Sequence, residues 1–238
     1  MEWLEYSHAN TMRRLGTKII TVRVGEAGST KDFSVHEELV RANSPFFEAA
    51  LGREWKEAVE GVVTLPDDNP EIFGIYVQWL YCGQIFSQVQ GKEGEKVDAA
   101  RWIEEWNRLD QCYALGDKLQ DTDFKDCIVD ASMEKTRWDK LEFLGFGPII
   151  YTSSAEKSPV RKLPVELALR WPDSALEKYC IQQRQPHDNF TADLMLALSK
   201  RTQAERNSPC PYWSDPCRYH EHTPLNKPCH KTKRGLTR

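Results

Sequence analysis

The sequence has no run of about 20 apolar residues, the length a helix needs to cross a bilayer, so it predicts no membrane association. Its first sixteen residues lack the apolar core of a secretory leader, because Glu2, Glu5, His8, Asn10, Arg13 and Arg14 interrupt it. An intracellular location, cytoplasmic or nuclear, is the expectation. There is no C-x-x-C pair, and the 7 cysteines are an odd number. Cys82, Cys112, Cys127 and Cys180 stand singly among helical residues, which predicts buried free thiols rather than a disulfide framework. Also missing are a G-x-S-x-G elbow, a phosphate-binding glycine loop and an H-E-x-x-H pair. No motif sets a nucleophile or carboxylate beside His36, so no catalytic residue is assigned and a non-enzyme is expected. Kelch and other recognition repeats are likewise lacking.

What the sequence does have is concentrated between Lys18 and Ile85. Ile19, Ile20, Val22 and Val24 form a β-branched run closed by Gly25, as in a largely buried strand. Gly25 to Ser29 reads as a turn into a second strand through Phe33 and Val35. At His36 the period becomes helical. Ser44 followed by Pro45 restarts the chain as a second short helix, with serine as cap and proline where no N–H is needed. Val62, Val63 and Leu65 make a third strand, and Asn69-Pro70 opens a helix with Glu71 at its positive end. That helix carries Ile72, Phe73, Ile75, Tyr76, Val77, Trp79 and Leu80, is apolar on nearly every side, and stops at Gly83.

These residues resemble a BTB/POZ domain of the type common in fungal proteins. His36, Val40, Ser44 and Phe47 are spaced like the signature H-x-x-x-L-x-x-x-S-x-x-F, with Val40 in the leucine place. Pro70, Phe73, Leu80, Tyr81 and Gly83 resemble its P-x-x-F…φ-Y-x-G element. The resemblance implies an α+β fold, a small sheet of three or more strands flanked by a cluster of helices. It further implies a protein–protein interaction module that homo- or hetero-associates, with a homodimer face, a cullin-type face and a groove for co-regulators. Partners are thus expected to be proteins: a second copy, a cullin scaffold of a ubiquitin ligase that the chain serves as substrate adaptor, or both. Leu65-Pro66-Asp67 approximates the φ-x-Glu element of cullin-binding adaptors, with aspartate for glutamate. His36, Val40, Ser44, Phe47, Leu65, Asp67 and Tyr81 are the interaction residues the resemblance implies.

Residues 1–15 are expected to form an N-terminal segment with Trp3, Leu4, Met12 and Leu15 as packing residues, and the resemblance implies a BTB/POZ domain over 16–135. Within it, residues 87–98 read as an exposed loop. Trp102, Trp106, Leu109 and Tyr113 then lie at helical spacing, and Asp121 or Thr122 caps a helix carrying Phe124, Cys127, Ile128 and Ala131. Residues 140–199 read as a helical extension, with amphipathic segments at Pro164–Trp171 and Phe190–Ser199.

Residues 200–238 hold nine Lys/Arg against three Asp/Glu, a balance of +6, whereas the rest of the chain has a balance of −10. Such a basic tail can be a flexible, solvated end, or an arm drawn to nucleic acid in a nuclear regulator, the alternative to the adaptor. The solvated end is the plainer of the two. Cys210, Cys217, His220, His222, Cys229 and His230 fall within 21 residues there. Four of them could satisfy tetrahedral zinc, and Cys217-x-x-His220 has a chelate-like spacing. Against that, the spacing matches no familiar finger, and Pro209, Pro211, Pro216, Pro224 and Pro228 favour an extended chain. No other cofactor is expected.

Overall fold

The computed structural model describes residues 15–52, 60–88, 99–138, 146–182 and 188–233. Trp3, Leu4 and Met12 of the N-terminal segment, and all but the first two residues of the 87–98 loop, lie outside them. The protein is α+β and divides into two compact units: Met1–Phe86 with Lys118–Asp121, and Ser87–Asp117 with Thr122–Arg238. This boundary differs from the expected 16–135 domain, because the two helices expected to complete that domain group with the C-terminal residues. Among the described residues no helix is long and apolar enough to cross a membrane.

In the first unit, β1 (Ile19–Val24), β2 (Lys31–His36) and β3 (Val62–Leu65) form a sheet of order β2-β1-β3. β1 pairs antiparallel with β2 and parallel with β3. The side-chain period of two turns Ile20, Val22 and Val24 into the core and leaves Ile19 57% exposed, so the β1 run is buried on one face only. Outward, the facing pair Arg23 and Asp32 make two 2.8 Å bonds through one guanidinium. The φ of +105° at Gly25 lets the chain leave β1, with Pro70 already 3.1 Å from where a Cβ would stand.

Two short helices follow β2, α1 (Glu37–Asn43) and α2 (Pro45–Leu51). Ser44 caps α2 as its sequence predicts, accepting the Phe47 N–H at 3.3 Å with Pro45 in the first turn. Its hydroxyl also donates to the Leu119 carbonyl at 2.6 Å. After β3, helix α3 (Pro70–Cys82) opens with Asn69 accepting the Glu71 N–H at 2.8 Å and closes at Gly83, whose φ of +74° suits glycine. Six of its residues are buried, among them Phe73, Tyr76 and Trp79, so the all-round apolar pattern reflects a central position. Phe33 meets Phe73 edge-on, and Tyr76 stacks on Trp79. Tyr76 also donates its hydroxyl to the buried Asp121 carboxylate at 3.0 Å.

The second unit begins with α4 (Ala99–Lys118, whose last residue belongs to the first unit) and α5 (Thr122–Trp138). Trp106, Leu109 and Tyr113 are buried along α4, which makes the tryptophan stripe core packing rather than an open stacking platform. Then come α6 (Phe146–Ser153), a 3₁₀ turn (Pro159–Arg161), α7 (Lys162–Ala168), α8 (Asp173–Gln182) and α9 (Asp188–Lys200). Tyr151, Val165, Ala168, Phe190 and Leu194 from α6, α7 and α9 form one apolar cluster. Its polar edge is closed by Tyr151, which donates to Asp193 at 2.6 Å. Residues 201–233 do not run as an extended arm. They fold into α10 (Gln203–Asn207), 3₁₀ turns at Pro211–Trp213 and Pro216–Tyr219, and α11 (His230–Lys233), the prolines starting the 3₁₀ turns. Of the cysteines expected to be buried, Cys112 and Cys127 are, whereas Cys82 is exposed near the end of α3. The side chain of Cys180 lies outside the described residues.

Candidate metal centre and interaction residues

The C-terminal segment is held to one face of α5. Asp123, Asp126 and Asp130 recur at helical spacing, so their carboxylates line one side of that helix. Asp123 takes both of its bonds from Lys233 at 2.8 Å. Asp126, fully buried, accepts the main-chain N–H of Glu221 at 2.6 Å and of His222 at 3.3 Å, and the His222 Nδ1–H at 2.7 Å. Asp130 accepts from His220 Nε2 at 3.1 Å, His230 Nε2 at 2.8 Å, Lys231 Nζ at 2.8 Å and the Tyr212 hydroxyl. The acidic body and basic tail thus meet inside one unit. Lys231, Lys233 and, through Glu166, Arg218 are paired with acids of this same chain.

Burial and bonding act oppositely on these carboxyls. Burial alone would raise Asp130, but bonds from His220, His230 and Lys231, together with the His220 charge, bring it well below the ordinary carboxylate range. At Asp126 burial prevails and raises the carboxyl, opposed by the His220 charge and the bond from His222. An ionised Asp130 can only accept, so His220 donates to it from Nε2, and the neutral form of the ring carries its lone pair on Nδ1. His220 Nδ1 is buried and has no hydrogen-bond partner among the described residues. On His222 the roles are reversed, with Nδ1 on Asp126 and Nε2 left for another partner.

One donor atom each from Cys217, His220, His222 and Cys229 lie within 4.8 Å of one another. Four of the six residues singled out in the sequence are therefore brought together. His220 is entirely buried and His222 nearly so, while the two thiols are half-buried. Burial first, and then the neighbouring Cys229 thiol, push the Cys217 thiol up to about 11. His230 lies beside His220, with ring centroids 5.7 Å apart, and shares Asp130 with it, so these three form a second cluster. Cys210 is in neither: it is buried, and burial raises its thiol above the ordinary value. Asp126 and Asp130 were missed by sequence reasoning. Their only signal was an acidic stripe on a helix about ninety residues before the histidines they orient.

The interaction residues implied by the resemblance divide by burial. Val40 and Phe47 are fully buried and Leu65 nearly so, while Ser44 is a buried cap. These four shape the core and offer no surface to a partner. Asp67 is exposed after β3, and Tyr81 is 41% exposed on α3. The Tyr81 hydroxyl lies 2.7 Å from His36 Nδ1 and accepts the His36 N–H at 3.2 Å, so it joins the end of β2 to α3 at the surface. No family model matches the chain, and no curated protein is significantly similar to it.

Proposed function

We propose that this chain is a protein–protein interaction module of the BTB/POZ type, acting as an adaptor that docks a cullin scaffold, a second copy, or both. The observation that carries the reading is the order of the first unit: a hairpin, two short helices, a third strand parallel to the first, then a buried helix. The roles of the residues that resemble the signature support this reading. Ser44 and Phe47 lock α2, Val40 packs α1, and Pro70 and Phe73 begin the central helix. Docking then falls to the exposed remainder, Asp67 with the His36–Tyr81 pair. The basic residues of the C-terminal segment give no comparable support to a nucleic-acid role, since Arg218, Lys231 and Lys233 face carboxylates of their own unit.

The test is sedimentation of the purified full chain alone and with the N-terminal region of a cullin. A dimer or a cullin complex is expected, with the cullin complex weakened at least about tenfold by Asp67→Lys or Tyr81→Ala, as for residues at the centre of an interface. A chain that stays monomeric at every concentration and does not bind the cullin would remove the basis of the proposal.

A further inference from the structure

Cys217, His220, His222 and Cys229 are a motif that the interaction reading does not use. We propose that they bind a single tetrahedral zinc ion that fastens the C-terminal segment to α5, with Asp126 and Asp130 as the outer shell that orients the two histidines. The inference does not rest on the BTB reading, because every residue in it belongs to the second unit.

Three observations carry it. The first is the donor set. Two thiols and two imidazoles suit a borderline-soft ion such as zinc, and four protein ligands complete its coordination and leave no open position, as in structural sites. The second is spacing. Ligands about 2.0–2.1 Å (nitrogen) and about 2.3 Å (sulfur) from a tetrahedral ion stand roughly 3.3–3.8 Å apart. The four donor atoms already lie within 4.8 Å of one another, so a small contraction reaches that geometry.

The third is the state of the rings. Zinc-bound histidine ordinarily donates its other N–H to a carboxylate or carbonyl, which fixes the tautomer. Both histidines have this arrangement: His222 donates Nδ1–H to Asp126 at 2.7 Å and His220 donates Nε2–H to Asp130 at 3.1 Å. The ligating atoms are then His222 Nε2 and His220 Nδ1. The latter is a buried ring nitrogen without a hydrogen-bond partner among the described residues, which a metal would satisfy.

The second cluster, Asp130, His220 and His230, reads differently. Its Asp130–nitrogen separations of 2.8 and 3.1 Å are hydrogen-bond lengths, and the shorter is too close for two ligands of one tetrahedral zinc. It is the hydrogen-bonded support of His220, and His230 is not a ligand.

Zinc here would join Pro216–Tyr219 to the start of α11 across a loop containing Pro224 and Pro228. That segment has few apolar residues of its own to bury, and metal binding supplies folding energy in such cases.

The test starts with the full chain, purified under reducing conditions without chelator, and its zinc content by mass spectrometry. Zinc is then exchanged for cobalt(II), whose visible bands report tetrahedral geometry and whose near-ultraviolet charge-transfer absorption reports thiolate ligation. One zinc per chain and a cobalt spectrum with two thiolates are expected. Cys217→Ser and Cys229→Ser should each reduce the charge-transfer band, and His222→Asn should abolish stable binding. Asp126→Asn and Asp130→Asn should keep the stoichiometry but weaken affinity roughly 10–100-fold, whereas Cys210→Ser and His230→Gln leave the cobalt spectrum unchanged. If a ligand variant does not fold, the cobalt spectrum of the unsubstituted chain still decides the ligand class. A chain without metal, a Cys217–Cys229 disulfide in the freshly reduced protein, or a cobalt spectrum without thiolate absorption would each overturn the proposal. So would loss of metal in His230→Gln with retention in Cys217→Ser, which would place the ion in the other cluster.

Discussion

Asp110 gives the sharpest test of the electrostatics. It lies on α4, is 3% exposed, and its Oδ1 has no hydrogen-bond partner among the described residues. Burial raises its carboxyl from 3.8 to about 8. Because the folded-state value lies above the unfolded one, the folded protein binds the extra proton between the two. Stability is therefore fully present below pH 4 and is lost as pH rises through about 8. Between pH 5 and 8 the unfolded group is already almost fully ionised, while the folded one keeps its proton until it is half-titrated at the upper end. The difference comes to roughly 3–4 kcal/mol over that range, at about 1.36 kcal/mol per unit. The assay is urea unfolding of the wild type and Asp110→Asn at pH 5, 6, 7 and 8, followed by tryptophan fluorescence. The advantage of the variant should grow by roughly 3–4 kcal/mol between pH 5 and pH 8. Parallel pH profiles would refute the argument, since they would mean that Asp110 is solvated or paired in solution.

Further expectations concern both units. Ser44→Ala removes the α2 cap and leaves the Leu119 carbonyl unpaired in the core, so it should cost about 2–3 kcal/mol by chemical denaturation. Phe73→Ala should cost about 3–5 kcal/mol, whereas Ile19→Ala, on the open face of β1, should stay within about 0.5 kcal/mol. Gly83→Ala forces a side chain to φ +74° at the end of α3 and should cost about 1–2 kcal/mol in the same assay. Removing metal with a chelator under reducing conditions should lower the melting temperature and speed hydrogen exchange at residues 217–230, and adding zinc should restore both. An unchanged exchange pattern would contradict the fastening role.

The first unit was legible because local signals there agree with the fold. Ser44-Pro45 and Asn69-Pro70 mark helix starts that the backbone adopts, Gly83 takes the left-handed conformation, and the apolar run of α3 lies in the centre. The period within β1 was less clear. Ile19 is as apolar as Ile20, and only pairing decides which one faces out. Function suffered from the same ambiguity: Val40 and Phe47, which resemble the signature, and Leu65, which resembles the φ of the φ-x-Glu element, build the core, and burial removes them from any surface.

The C-terminal segment was the harder case. Five prolines and a positive charge suggest an extended arm when the segment is read alone. Its partners, Asp123, Asp126 and Asp130, lie on a helix far back in the chain, and no local pattern announces that pairing. Two of the six candidate ligands could not be excluded from sequence for the same reason. Cys210 and His230 are as close along the chain as the other four, and only the fold turns them elsewhere.

The most direct test of the interaction reading is affinity purification of the tagged full chain from cells with quantitative mass spectrometry, beside a chain carrying Asp67→Lys and Tyr81→Ala. Near-stoichiometric recovery of a cullin or of an untagged second copy, lost in the double variant while expression and melting temperature are kept, is the predicted result. Recovery of neither by the intact chain would contradict the adaptor account.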